Sequence, residues 1–314
     1  HRPLGATGLT VSEVGFGGWS IGGEGYGPTD DRVSRAALRK AFEEGVAFFD
    51  TADTYGDGRG ERLIAEALGA ERDRVVLATK VGNDFYGPKL RKNFEADYIR
   101  FACEQSLRRL GTDRIDLYQL HNPSLEAMRR GEAFEAMRVL VREGKALHWG
   151  VSVREAEEAR AALAGGAETL QLIYNLLYPQ VLEECADEIA KRRAGVIVRT
   201  PLEFGLLTGK YRPGHVFGPG DSRAKRWDAE ALARKLAEVE RYRFLARPPI
   251  RTMAEAAVRF ALSHPLVSTV IPGVKTPEQA AEHARASGEG PALSEADLAR
   301  VGEVRAEVRG ASAP

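Results

Sequence analysis

The sequence predicts an α/β fold, a parallel (β/α)8 barrel, and three observations carry that prediction. Short β-branched or apolar runs occur eight times along 314 residues. Stretches with apolar positions every three or four residues separate successive runs, so strands alternate with helices and pair in parallel. Several runs are apolar throughout rather than alternating, as strands covered on both faces are. The length also accommodates two ordinary domains, and a doubly wound sheet is the competing arrangement; eight repeats favour one closed barrel spanning residues 1–314.

In chain order, the opening RPLGATGLTVSEVG reads as two short strands joined by a Gly-containing turn, a hairpin placed to plug one end of the barrel. The eight strand runs are 14–16, 48–49, 75–79, 115–120, 147–151, 170–173, 196–199 and 268–271. Helical periodicity marks, among others, 33–44, 98–110, 134–143 and 183–193. Residues 212–247 form a long insertion after the seventh strand, and loops of that length are usually lids or binding loops. An extra helix over 294–308 follows the eighth unit, opened by the capping pattern Ser294-Glu295-Ala296-Asp297.

Composition excludes several functions. Forty-five basic residues balance 45 acidic ones, so nothing suggests a nucleic-acid partner. No run approaches the roughly 18 apolar residues of a membrane span and no secretory h-region opens the chain, so it reads as soluble and cytoplasmic. Cys103 and Cys185 are too few for a disulfide framework and read as buried thiols. The six histidines lack ligand spacing, which argues against a metal. No apolar stripe assigns an oligomeric state.

Barrels of this kind carry their active sites at the carboxyl ends of the strands. The second strand ends in Asp50 with Tyr55 in the following loop, the third in Lys80 and the fourth in His121. Four polar groups from three consecutive strand ends should converge on one mouth. A nearby ammonium should lower the tyrosine pKa, a carboxylate should keep the lysine charged, and the imidazole adds a donor. The product is a tuned hydroxyl acid able to protonate a carbonyl oxygen as it becomes an alkoxide. With no activated Ser or Cys and no metal, a nicotinamide hydride is the economical source of electrons. Asp53 reads as a helix cap and His148 as structural.

The stretches FFDTADTYG, VVLATKVG, EQSLRRLGTDRIDLYQLHNP, GKALHWGVS, QLIYNLL, PLEFGLLTGKY and VIPGVKTPEQAAE, in this order, resemble the aldo-keto reductase family over nearly the whole chain, in the branch that includes potassium channel β subunits and bacterial reductases. The resemblance implies NADP(H) bound in extended form without a Rossmann domain. It makes Tyr55 the general acid, assisted by Lys80, Asp50 and His121. The glycines of GFGGWSIGGEGYG are misplaced for a dinucleotide fingerprint. The resemblance instead places Gly18 and Trp19 beside the nicotinamide ribose, and Ser152 and Gln171 on its carboxamide. Thr200, Pro201, Leu202 and Lys210 run under the diphosphate, and Arg223 contacts phosphate. Arg199 stands where many members stack an aromatic ring on the nicotinamide. Gly273, Lys275 and Gln279 surround the 2′-phosphate, with Glu282 at the adenine, and NADP(H) is preferred over NAD(H). The substrate, a small carbonyl or alcohol, meets Tyr55 and His121 among Trp19, Tyr26, Phe85, Tyr86, Asn122 and Trp227. A non-enzymatic redox-sensing subunit is the alternative function.

Overall fold

The computed structural model describes residues 1–23, 25–218, 220–288 and 292–311, the side chains of 309–311 excepted. Eight parallel strands line up in chain order: β1 (Phe16–Gly17), β2 (Phe48–Asp50), β3 (Val76–Val81), β4 (Ile115–His121), β5 (Ala146–Ser152), β6 (Thr169–Ile173), β7 (Gly195–Arg199) and β8 (Val267–Ile271). Parallel bridges Val14–Val270 and Gly17–Gly273 join the first edge to the last, so the sheet nearly closes into a (β/α)8 barrel. Every predicted strand is present, with bounds shifted by one or two residues.

Side-chain alternation explains both the barrel's stability and its site. Successive residues of a strand point to opposite faces, so every second residue shares one face. One set, Phe48, Ala78, Leu117, Ile197 and Ile271, forms an apolar cluster inside the barrel. Leu4 and Val11 of the antiparallel hairpin Arg2–Pro3/Thr10–Val11 complete that cluster, which confirms the hairpin as an end plug. The other set, including Phe49, Leu77, Tyr118, Leu120, Val196 and Val198, belongs to the larger core shared with the helices. Two residues further along, the inward positions turn polar: Asp50, Lys80, Gln119 and Arg199. The polarity change along one face therefore marks where packing ends and chemistry begins.

The helices agree with the periodicity except at one place. The stretch 183–193 divides into Gln180–Glu184 and Ala186–Arg192, because Cys185 at φ −112°, ψ 9° leaves helical geometry while its buried thiol packs on the Ala156 carbonyl. The insertion after β7 carries the helix Ala229–Glu240, capped by the Asp228 side chain. The last helix, Glu295–Ala311, starts as its sequence indicates, with the Asp297 amide donating to Ser294 Oγ at 3.1 Å. Both cysteines are free and buried. Among the described residues no helix is long and apolar enough to cross a membrane.

Candidate active site

Asp50, at the end of β2, is the hub. Its Oδ1 takes a 2.5 Å ion pair from Lys80 Nζ, and Oδ2 accepts from Gln119 Nε2 at 3.0 Å and Gln171 Nε2 at 2.8 Å. The lysine, fully buried at the end of β3, also donates to the Thr51 carbonyl at 2.7 Å. Burial alone would discharge the Lys80 ammonium; Asp50 and then Tyr55 more than reverse this, leaving its pKa above the ordinary value. The lysine is a permanent cation beneath the mouth.

Tyr55 leans over that cation, with Lys80 Nζ 5.1 Å from its ring centroid, and meets His121 edge to face at 5.8 Å. The expectation of a lowered tyrosine pKa is not met. Burial raises the Tyr55 phenol above its ordinary 10.0, and the pull of Lys80 does not overcome it. The side chain is thus a neutral hydroxyl throughout the physiological range, held where Lys80 and then Arg199 partly offset the effect of burial on its acidity. His121 moves the other way: burial, then Lys80, Lys92 and Arg199, push it well below 6.5, so the imidazole is neutral. Asn83 Nδ2 donates to His121 Nδ1 at 2.9 Å, which leaves the ring proton on Nε2. Lys92 Nζ holds the His121 carbonyl at 2.7 Å. Asn83 and Lys92 face each other across the short antiparallel pair Asn83–Asp84/Arg91–Lys92, so one small hairpin braces the histidine twice.

A pocket over this network is lined by most of the anticipated residues: Gly18, Trp19, Tyr26, Asp50, Tyr55, His121, Asn122, Ser152, Gln171, Arg199, Thr200 and Gly273. Trp19 packs edge-on to Tyr26 at 4.9 Å and to Phe204 at 5.9 Å, forming an aromatic wall. A second pocket adjoins it, sharing Tyr26, Thr200, Phe204 and Gly273, and is lined by Pro201, Leu202, Lys210, Arg223, Lys275, Gln279 and Glu282. Together they form one cleft with mixed polar and apolar walls. The segment between them is held in sparsely populated backbone: Thr200, Glu203 and Phe204 have φ of 56°, 43° and 53°. Such strain in a non-glycine loop is retained where a binding surface must be preformed.

Some anticipated residues lie elsewhere or have other partners. Phe85 and Tyr86 do not line the pocket; they stack on each other at 4.3 Å, and Arg109 donates to the Tyr86 hydroxyl at 2.8 Å. Glycine at φ +126° in position 82 turns the chain abruptly after β3, so these rings swing outward while Asn83 and Leu90 take the wall. Trp227 sits behind Phe204, ring to ring at 6.1 Å. Lys275 Nζ is engaged by the Tyr26 and Pro28 carbonyls, and Arg223 pairs with Asp221 at 2.5 Å. His148 binds Glu168 across neighbouring strands, as a structural residue would.

Asp53 is not a helix cap. The helix Arg59–Leu68 starts after Gly58, and Asp53 is buried with neither carboxylate oxygen hydrogen-bonded. Burial, then Glu61, raises its pKa well above 3.8. A carboxyl whose folded-state pKa is raised stabilises the fold only below its unfolded value; that contribution disappears as pH rises toward the folded value. Asp53→Asn should therefore raise the melting temperature at neutral pH, with a gain that grows as pH rises above about 4; a loss of stability at pH 7 in calorimetry contradicts this reading.

Gln119 and Asn83 were not singled out by sequence reasoning. Gln119 had a usable signal, since it shares an inward face with His121 two residues on. Asn83 had none, because its role depends on the turn at Gly82.

A nearly closed parallel barrel with a buried lysine–carboxylate pair, a tyrosine and an imidazole at its C-terminal mouth defines a (β/α)8-barrel with an enzyme-like site. The Aldo/keto reductase family model matches residues 13–306, and the chain belongs to that family of oxidoreductases. It is 30% identical over 287 residues to "Aldo-keto reductase YhdN" of Bacillus subtilis, spanning 89% of this chain and 86% of that protein. It is likewise 30% identical to "Probable voltage-gated potassium channel subunit beta" of Arabidopsis thaliana, over 97% of this chain and 96% of the relative. A solved aldo/keto reductase from Klebsiella pneumoniae, in complex with NADP and acetate, superposes with a TM-score of 0.72 at 26% identity, covering 96% of this chain and 94% of that one.

Proposed function

We propose that the chain is an NADP(H)-dependent oxidoreductase that reduces aldehydes or ketones to alcohols, reversibly, with Tyr55 as general acid. The observation that carries this reading is the buried Asp50–Lys80 pair directly beneath a neutral Tyr55 and a neutral His121 at the floor of a cleft. The cleft suits the cofactor. Three cations, Lys210, Arg223 and Lys275, line the end distal to the tetrad, where the phosphates belong, and the strained segment 200–204 bridges the two ends. Gly18, Trp19, Ser152 and Gln171 would hold the nicotinamide end, Thr200, Pro201 and Leu202 the diphosphate, and Gly273, Gln279 and Glu282 the adenosine end.

The bound nicotinamide would supply a hydride to the carbonyl carbon. The protein's own part is the proton and the field. Tyr55 and the His121 Nε2 proton would hydrogen-bond the carbonyl oxygen, and Tyr55 would give up its proton as negative charge builds there. Lys80, kept charged by Asp50, would stabilise the phenolate left behind. Asn83 would keep the imidazole in its donating tautomer. A tyrosine whose pKa is raised remains protonated through the neutral range, so the pH profile of reduction should stay flat and fall only above pH 10, while alcohol oxidation should rise with pH.

Preference for NADP(H) rests on Lys275, which lines the cleft together with Gln279 and whose ammonium, among the described residues, is held there by neutral carbonyls only. Lys275→Ala should weaken NADPH binding about tenfold, the scale of one charge-assisted hydrogen bond, and NADH binding much less. Fluorescence titration with both dinucleotides checks this; equal losses for the two contradict it.

The second reading, a redox-sensing subunit, is favoured by the similarity to the plant channel β protein. Loss of NADPH absorbance with a panel of aldehydes and ketones separates the two. Turnover supports the enzyme; tight NADPH binding without turnover of any carbonyl supports the sensor.

A further inference from the structure

Asn122, at the end of β4, lines the catalytic pocket and two depressions beside it. Six cations border these spaces; Arg91 pairs with Asp84 and Arg130 with Glu126, which leaves Lys92, Arg154, Arg199 and Arg226. None of the four has an ion-pair partner among the described residues, whereas Arg72, Arg109, Arg223 and Arg259 each hold a carboxylate within 3.0 Å. What they do contact is neutral. Lys92 donates to the His121 carbonyl and Arg199 to the Val153 carbonyl at 3.0 Å, and Arg226 lies 3.5 Å over the Phe204 ring.

Three nearby acids are committed to other groups, while Glu95, Glu155 and Glu184, which also line the depressions, are exposed. Glu158 Oε2 accepts the Arg154 amide at 2.7 Å, closing the start of the Ala156–Ala164 helix, and Glu132 Oε1 accepts the Ala96 amide at 2.8 Å. Glu203 is buried, with its pKa raised, and held by Asn175 at 3.2 Å. Burial first, and then the charge of Arg154, bring the Lys92 ammonium down to about 8. Arg199 carries a further oddity, a guanidinium Nε sealed from solvent with no acceptor. A half-buried guanidinium such as Arg199 without a counter-ion is costly, and a chain with balanced charge has no shortage of acids to supply one. These four cations without an ion-pair partner among the described residues gather around Asn122, whereas Lys210, Arg223 and Lys275 line the neighbouring pocket.

We propose that this side is a substrate subsite for an anionic group, a carboxylate or phosphate on the carbonyl compound, recognised chiefly by Arg154 and Lys92. It deepens, and rests on, the reading of the pocket as a carbonyl-reducing site. A planar guanidinium beside an ammonium suits either anion. Because the cations flank Asn122, next to His121, the anion and the reacting carbonyl belong to one small molecule.

The test compares kcat/KM with NADPH for matched pairs: 4-formylbenzoate against 4-methylbenzaldehyde, and glycolaldehyde phosphate against glycolaldehyde. At low salt the charged member should be preferred at least about tenfold, and the preference should shrink as ionic strength rises. Arg154 is exposed, so its variants should fold: Arg154→Ala should collapse the charged-to-neutral ratio about tenfold and Arg154→Lys should restore part of it. The pair showing the larger preference tells carboxylate from phosphate. Titration calorimetry of benzoate into the NADPH-loaded protein repeats the comparison without turnover. Equal kcat/KM within both pairs, or a ratio indifferent to Arg154→Ala, overturns the subsite. Failure to turn over any carbonyl while benzoate binds in an Arg154-dependent way overturns the reductase reading and leaves the anion site standing; failure of both removes both.

Discussion

Tyr55→Phe is expected to lower kcat for carbonyl reduction by about 10³-fold, within the range that a positioned general acid contributes, while NADPH affinity changes by less than about twofold. The substitution deletes one oxygen and keeps the ring that faces His121 and covers Lys80. Cofactor binding should survive because the phosphate end of the cleft lies among residues that Tyr55 does not touch. The loss should appear in kcat and kcat/KM alike, since the missing proton is needed only as negative charge develops on the substrate oxygen. Activity within tenfold of the parent enzyme removes Tyr55 from the acid role and leaves His121 as the remaining donor.

Lys80→Met should be nearly as damaging to activity and far worse for the fold. Both members of the Lys80–Asp50 pair are almost completely buried, so removing the ammonium strands a carboxylate inside the barrel. Breaking such a pair costs about 3 to 5 kcal/mol; the amide protons from Gln119 and Gln171 keep the figure toward the lower end. Urea denaturation measures that loss. The double variant Asp50→Asn/Lys80→Met should regain most of the stability and none of the activity, because it removes the stranded charge without restoring the cation under Tyr55. Recovery of activity in the double variant contradicts the role given to Lys80.

Much of this architecture was legible in the sequence because two signals are local. Eight apolar runs separated by helical periodicity give the barrel, and the first polar residue after an apolar strand, as at Asp50, Lys80 and His121, gives the mouth. What stayed hidden depends on geometry that a short pattern does not encode. Phe85 and Tyr86 follow Lys80 closely, but the positive φ at Gly82 turns them outward and brings Asn83 in. Asp53 looked like a cap since acids before helices commonly are, yet the helix starts beyond it at Arg59. The direction of the Tyr55 shift was misjudged because proximity to a cation can be read from a motif, whereas depth of burial cannot. The cations around Asn122 come from the small hairpin after β3, the loop after β5, the end of β7 and the insertion beyond it, and meet only in the folded protein.

The central claim is that the cleft passes a hydride from a nicotinamide to a carbonyl carbon over the tetrad. Single-turnover reaction of the protein with NADPH carrying deuterium at both nicotinamide C4 positions, followed by mass spectrometry of the product, tests it most directly. The account predicts an alcohol carrying one deuterium on its carbinol carbon from the parent protein and almost none from Tyr55→Phe in the same interval. Unlabelled alcohol, or tightly bound NADPH that keeps its deuterium with every carbonyl offered, contradicts it.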